Sequence, residues 1–298
     1  MTGILVRVGD WLSTLSGWRR FGVAILIGAV SALGFAPFDI FPLFLLAVAA
    51  LVLLLDGAAS SGSRLRNGAL AGWAFGFGQF VVGMHWIFYP FLVDPLEHAW
   101  QIPFVAVLFP GGLALFVALA AGLAAQFWRH GPSRIFLLAF CYAAGEWLRG
   151  HVLTGLPWNL PAYSWGASLA VMQTAALVGA YGLSLLTLLL GASFAELFGR
   201  PRRILLPSLT TALFVLMWGG GELRLHATPT RFLAGVNLRI VQPNIPQDEK
   251  YIREYVQRNW DRLVDLTMKR SRAAPTVIIW PEAAPPILLQ RSPEALDQ

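Results

Sequence analysis

The sequence predicts an α-helical polytopic membrane domain of about seven transmembrane helices over residues 1–220. The beginning of an extracytoplasmic α/β layer domain follows over 221–298. Three observations carry this prediction. Apolar runs long enough to cross a bilayer core of about 30 Å recur along the first part of the chain. Arginines gather in every second connection between those runs. After Trp218-Gly219-Gly220-Gly221 the composition changes, and eleven of the 22 Lys and Arg lie beyond residue 220.

Composition agrees. Hydrophobic residues make up 56% of the 298 residues and charged residues 13%, with a mean hydropathy of +0.61. A soluble globule has about a quarter of its residues charged. Twelve Trp and twenty Phe fit a chain that meets bilayer interfaces. The net charge of +6 does not imply a nucleic-acid partner, because the arginines fall between hydrophobic spans and form no continuous basic face. Cys141, the one cysteine, lies in an apolar run and cannot form an internal disulfide. The first apolar run continues past signal-peptide length without a small-residue cleavage site, so no cleaved leader is expected.

Residues 1–20 form a short head with Arg7, Arg19 and Arg20. Spans are then expected at Phe21–Pro37, Ile40–Leu55, about Gly68–Pro90, Pro103–Trp128, Ile135–Leu148, about Leu169–Phe198 and Ile204–Trp218. Inside a bilayer only helices satisfy their own backbone. With the head in the cytoplasm, inside segments hold ten arginines (7, 19, 20, 64, 66, 129, 134, 200, 202 and 203), and outside loops before residue 220 hold only Arg149. This asymmetry predicts a cytoplasmic N-terminus and, after seven spans, an extracytoplasmic C-terminal segment.

In that segment Asn237–Ile245 alternates like a strand and ends in Pro243-Asn244-Ile245-Pro246. Asp248–Arg272 has Ile252, Tyr255, Val256, Leu263 and Leu266 at helical spacing. Thr276-Val277-Ile278-Ile279 then forms a second strand, expected to be buried. Strand, helix, strand opens an α/β layer domain. Two strands and one helix leave open edges and an uncovered face, so the domain is expected to be incomplete. The glycine-rich turns lack a phosphate-loop pattern and GxGxxG, and no nucleotide or other cofactor is expected.

Glu282 is the candidate catalytic group. A hydrophobic strand leads to it, Pro281 precedes it and Pro285-Pro286 constrains the exit, which is the fixed placement that acid/base catalysis needs. Glu146 and Arg149 lie one helical face apart at the outer end of the fifth span. They are either an intrahelical pair, or Arg149 engages a lipid phosphate or orders the Gly155-Leu156-Pro157-Trp158 loop. Trp158 and Trp165 are interface anchors or contacts for a lipid substrate. His85 and His151 have no partners at ligand spacing, so no metal is expected.

Several motifs together resemble one family. Ile278-Ile279-Trp280-Pro281-Glu282-Ala283-Ala284-Pro285, preceded by Val241-Gln242-Pro243-Asn244-Ile245-Pro246-Gln247, resembles the opening of the nitrilase-like domain of apolipoprotein N-acyltransferases. Gly34-Phe35-Ala36-Pro37-Phe38-Asp39, Gly83-Met84-His85-Trp86 and the stretch from Glu146 to Trp158 resemble that family's membrane segments in the same order. The resemblance implies an αββα nitrilase-like sandwich and a Glu-Lys-Cys triad. It implies a phospholipid acyl donor, a diacylated apolipoprotein acceptor and a monomer in the bacterial inner membrane. Of the triad only the Glu carries over, as Glu282. The family's Lys and Cys are expected farther downstream, so residues 1–298 alone are expected to be inactive. Tyr251 stands where the family often has Trp, and either borders an acyl groove or packs in a core. Two other readings are a membrane-tethered amide hydrolase of the same superfamily and a non-catalytic membrane scaffold or transporter. Carboxylates or lysines lining a path through the spans would favour the last, and the spans show almost none.

Overall fold

A computed structural model describes residues 2–199, 201, 203–228, 230–246, 248–250, 252–285 and 287. The chain divides into two compact units, residues 1–228 and 229–298.

The first unit is helical: α1 (Thr2–Thr14), α2 (Gly17–Ser31), α3 (Phe41–Ala59), α4 (Arg64–Gly83), α5 (Pro95–His98), α6 (Ile102–Gln126), α7 (Ser133–His151), α8 (Leu169–Met172), α9 (Ala175–Ser193) and α10 (Leu205–Ala227). A helix occupies the place of each expected span. Among the described residues three stretches are long and apolar enough to cross a membrane: Phe41–Ala59, Pro95–Gln126 and Ala175–Phe198, with mean hydropathy 2.3, 2.4 and 1.9. Of the rest, α2 is only 15 residues long. Helix α7 carries Arg134, Glu146 and Arg149, and α4 and α10 are diluted by glycine and polar residues.

Small residues bring these helices together. A Cβ at Gly72 would lie 2.4 Å from the Ala121 Cβ and 2.6 Å from the Val117 carbonyl oxygen, and one at Gly68 would lie 2.3 Å from the Ala125 Cβ. Helix α4 therefore presents glycines one turn apart to alanines of α6, the small-residue packing that lets helix backbones approach in an apolar medium. Phe44, Leu51, Leu54, Leu55, Phe75, Ile135 and Leu138 fill the core of the unit.

Several details differ from the sequence reading. The head forms helix α1. The third span stops at Gly83 and continues as a 3-10 segment, His85–Leu92. The sixth is broken into α8 and α9, and Gly179 inside α9 has φ 70°, outside helical space. Trp165, read as an interface anchor or a lipid contact, is buried. Its indole donates to Thr187 Oγ1 at 2.9 Å, and its ring lies 4.6 Å from Phe41 and 4.9 Å from Phe214.

In the second unit β1 (Leu238–Ile240) pairs in parallel with β2 (Val277–Ile279), in the register Leu238↔Val277, Arg239↔Ile278 and Ile240↔Ile279. Helix α11 (Val256–Met268) connects them, giving a β-α-β unit. Trp260 and Leu263 of α11 pack with Val241 and Ala284 in a small core. Strands and helix are all shorter than the periodicity suggested. The expectation of a buried second strand is corrected: Val277, Ile278 and Ile279 are 45%, 43% and 43% exposed. One helix can shield only one face of a two-stranded sheet, and no other helix or strand of this unit among the described residues covers the second face.

Candidate functional site

Glu282 lies just past the C-terminal end of β2 and is exposed. Parallel pairing brings the ends of both strands to one edge, so Gln242-Pro243-Asn244 and Trp280-Pro281-Glu282 leave side by side; the Val241 N–H donates to the Ile279 carbonyl at 3.0 Å. In open α/β sheets this carboxyl edge is where ligands bind. Both exits contain a left-handed residue, and the second is a tight turn. Asn244 has φ 49° and Ala283 φ 50°, and the Ala284 N–H closes onto the Pro281 carbonyl at 3.1 Å. Left-handed backbone at a non-glycine residue is uncommon and clusters at functional sites.

The approach to Glu282 is tied to α11. The Trp280 indole donates to Thr267 Oγ1 at 2.9 Å, and its ring meets Trp260 edge-on at 6.2 Å. From the neighbouring strand, Arg239 donates to the Thr267 carbonyl and, at 2.7 Å, to Ser271 Oγ. The acid is thus carried on a braced strand, which suits a group that must meet a reacting proton at hydrogen-bond distance.

In the first unit Arg149 is buried, 1% exposed, beside Glu146 at 2%. The guanidinium forms a two-pronged pair with Glu146, with Nε 3.3 Å from Oε1 and Nη2 on Oε2. Its Nη1 donates to the Leu156 carbonyl, the Leu156 N–H returns to the Arg149 carbonyl at 2.9 Å, and the cation sits 5.1 Å from the Phe80 ring centroid. One arginine thus neutralises a buried carboxylate and braces the loop that follows α7. Trp158 in that loop is 52% exposed and lies 5.4 Å from Trp86, while the Asn159 amide donates to the Gly83 carbonyl at 3.2 Å. Tyr251 lies outside the described residues. Cys141 is half-buried on α7 against the core. Exposed His85 and His151 bond only to nearby carbonyls, and no cluster of metal-ligating residues occurs among the described residues.

Sequence reasoning missed two polar groupings. Tyr142 on α7 donates to Gln79 on α4 at 3.1 Å, both buried. At the other end of the bundle Asp56 accepts from the Trp128 indole at 2.8 Å and lies 3.3 Å from Arg134, which lies 2.8 Å from Glu196. Arg134 Nε and Glu196 Oε1 lack aligned hydrogen bonds, so this buried pairing is mainly Coulombic. For the second grouping the sequence signal was that its residues lie at or near the ends of apolar runs; Tyr142 and Gln79 lie inside theirs.

A family model described as "Apolipoprotein N-acyltransferase N-terminal domain" matches residues 27–193. Curated relatives agree. An apolipoprotein N-acyltransferase of Rhodopseudomonas palustris is 37% identical over 99% of this chain and 57% of its own length. Those of Bradyrhizobium diazoefficiens and Caulobacter vibrioides are 38% and 39% identical over 94% and 90% of this chain, and over 54% and 50% of their own. The chain spans about half the length of the curated relatives it matches. The apolar helices and these relatives make it a membrane protein. By its family match the chain belongs to the apolipoprotein N-acyltransferase N-terminal domain family.

Proposed function

We propose that this protein is the membrane part and catalytic-base segment of a lipoprotein N-acyltransferase in the bacterial inner membrane. In this reading all seven apolar helices (α2, α3, α4, α6, α7, α9 and α10) cross the bilayer. The N-terminus is cytoplasmic and residues 221–298 begin a nitrilase-like domain outside. Glu282 is the general base. It takes the proton of a cysteine thiol, and the thiolate attacks the sn-1 ester of a phospholipid. The ester C–O bond breaks, a thioester forms, and the proton passes to the departing lysophospholipid oxygen. The N-terminal amine of a diacylglyceryl-cysteine then attacks the thioester, giving an amide and restoring the thiol. The cysteine, and a lysine to support the oxyanion, match no residue of 1–298 by motif. Arg149 acts by shaping the loop that carries Trp158, and Trp158 and Tyr251 border the lipid substrate.

The observation that carries the reading is Glu282 on a braced β-α-β edge, in a chain whose preceding residues belong to this family. Donor and acceptor are both lipid-anchored, so a base held at the bilayer surface meets them in two dimensions, which favours encounter.

The test joins residues 1–298 to the part of the R. palustris relative beyond the match and supplies phospholipid and a diacylated lipopeptide. A third acyl chain on the lipopeptide is expected, and Glu282→Gln should lower its rate at least about 100-fold. An unchanged rate in that variant removes Glu282 from the chemistry, and free fatty acid as sole product favours the hydrolase. Residues 1–298 alone should not turn over.

A further inference from the structure

Helix α1 carries more apolar surface than the protein covers. At about 100° per residue its side chains fall into three sectors. Val6, Gly9 and Leu12 face the bundle and are buried. Arg7, Asp10 and Thr14 form an exposed polar strip. Ile4, Val8 and Trp11 share a third face within about 60° of arc and are 65%, 38% and 53% exposed.

Two contacts set where α1 sits. A Cβ at Gly9 would lie 2.7 Å from the Phe198 carbonyl oxygen, and one at Gly57 would lie 2.1 Å from that of Ser13. Phe198 and Gly57 are at the ends of the apolar stretches Ala175–Phe198 and Phe41–Ala59. The helix is therefore docked where two spans stop, at the edge of the apolar layer. Its 13 residues reach about 20 Å, too short to cross a bilayer. Just beyond its end, Trp18 is 80% exposed, with the Arg19 guanidinium 5.7 Å from its ring. Arg64 and Arg66 open α4 with exposed side chains.

We infer that α1 is a membrane-surface helix: it sinks Ile4, Val8 and Trp11 into the acyl region of the adjacent leaflet and sets Arg7 against anionic lipid phosphate. A helix with an apolar face and a cationic flank lies in the interface plane, held by buried apolar area and attraction to anionic lipid. Three side chains are too few for a second protein copy, because a stable interface takes about 800 Å² from each partner. The inference rests on the membrane reading of the first unit and is independent of the acyl-transfer chemistry.

The test uses nitroxide labels at Val8→Cys, Thr14→Cys and Leu115→Cys, each with Cys141→Ala, in vesicles of phosphatidylethanolamine and phosphatidylglycerol. Collision with oxygen reports lipid exposure, and collision with a water-soluble nickel complex reports aqueous exposure. The label at 8 should favour oxygen severalfold more than the label at 14, with 115 in α6 strongly oxygen-exposed; Ile4→Cys gives a second reading of the same face. Nickel access at 8 equal to that at 14, with 115 still in lipid, overturns the inference and leaves the membrane reading standing. Nickel access at 115 overturns both. Shielding of 8 from both reagents means protein covers the face and also overturns it. Arg7→Glu should reduce the depth at 8 on these vesicles and not on neutral phosphatidylcholine; equal depth on both removes the phosphate contact.

Discussion

At the residue scale the most consequential side chain of the first unit is Arg149. Two charges taken out of water cost several kcal/mol each, repaid only when geometry and extra hydrogen bonds are good. Here the guanidinium has Glu146, the Leu156 carbonyl and the Phe80 face. Glu146→Ala leaves the cation buried beside one carbonyl and should cost about 3–5 kcal/mol, measured by unfolding in detergent. Replacing both charges, with Glu146→Leu and Arg149→Met, should recover much of that loss. A double variant as unstable as the single would mean that bracing of the Leu156 loop, not the stranded charge, dominates. At the opposite end Glu196→Ala would leave Arg134 with Asp56 and the Gly131 carbonyl, so the loss there should be smaller.

At the element scale the question is why apolar helices adhere when lipid is as apolar as their side chains. The driving terms are close packing and hydrogen bonds, which favours small residues at contacts. Gly72→Leu on α4 has no space against Ala121 and Val117 and should lower stability by at least about 1–3 kcal/mol. Gly112→Leu on α6, where a Cβ would meet nothing within 4 Å, should be nearly neutral. Thermal unfolding of the two variants side by side checks this, and equal effects would mean the α4–α6 contact is not a tight one. In the second unit the β-α-β connection brings two proline-containing exits to one sheet edge, and the Trp280–Thr267 bond fixes β2 on α11. Trp280→Phe keeps an aromatic ring, smaller than the indole, and loses that donor. It should cost about 0.5–1.5 kcal/mol, read from unfolding of the same chain.

At the scale of the first unit, contacts between loops sort its connections into two ends. Asp56, Trp128, Arg134 and Glu196 meet at one end. At the other, Asn159 reaches Gly83 and Trp158 reaches Trp86. These are the alternate connections that the arginine count separates. A cysteine at Leu153, which is 92% exposed, should react with a membrane-impermeant maleimide on intact cells. One at Ser61 should react only after lysis. The reverse result would invert the proposed orientation, and labelling of both on intact cells would refute the alternation.

Much of this was legible in the chain. Helix positions followed from apolar runs, because backbone in lipid has almost no alternative to helix. The strand-helix-strand order and Glu282 at a strand tip followed from the switch in period and from Trp280-Pro281-Glu282. Helix α1 was not legible as a helix, because thirteen mixed residues give no span-length signal. The exposure of Val277–Ile279 was misread, because an apolar run says what would prefer burial and not whether enough chain lies against it. Trp165 was misread for a related reason: only packing shows whether a tryptophan near a span end faces lipid or, as here, Thr187 and Phe214.

By itself the sequence determined the family, the order of helices and the candidate base, because these depend on local composition and short motifs. Only the tertiary structure decided which remote charges meet, Asp56 with Arg134 and Glu196, and that the Glu146–Arg149 pair is buried. It also decided that α1 docks where two spans end, with an apolar face left over. The physical reason is that ion pairing and burial depend on distances between residues remote in the chain, and those distances exist only once the helices have packed.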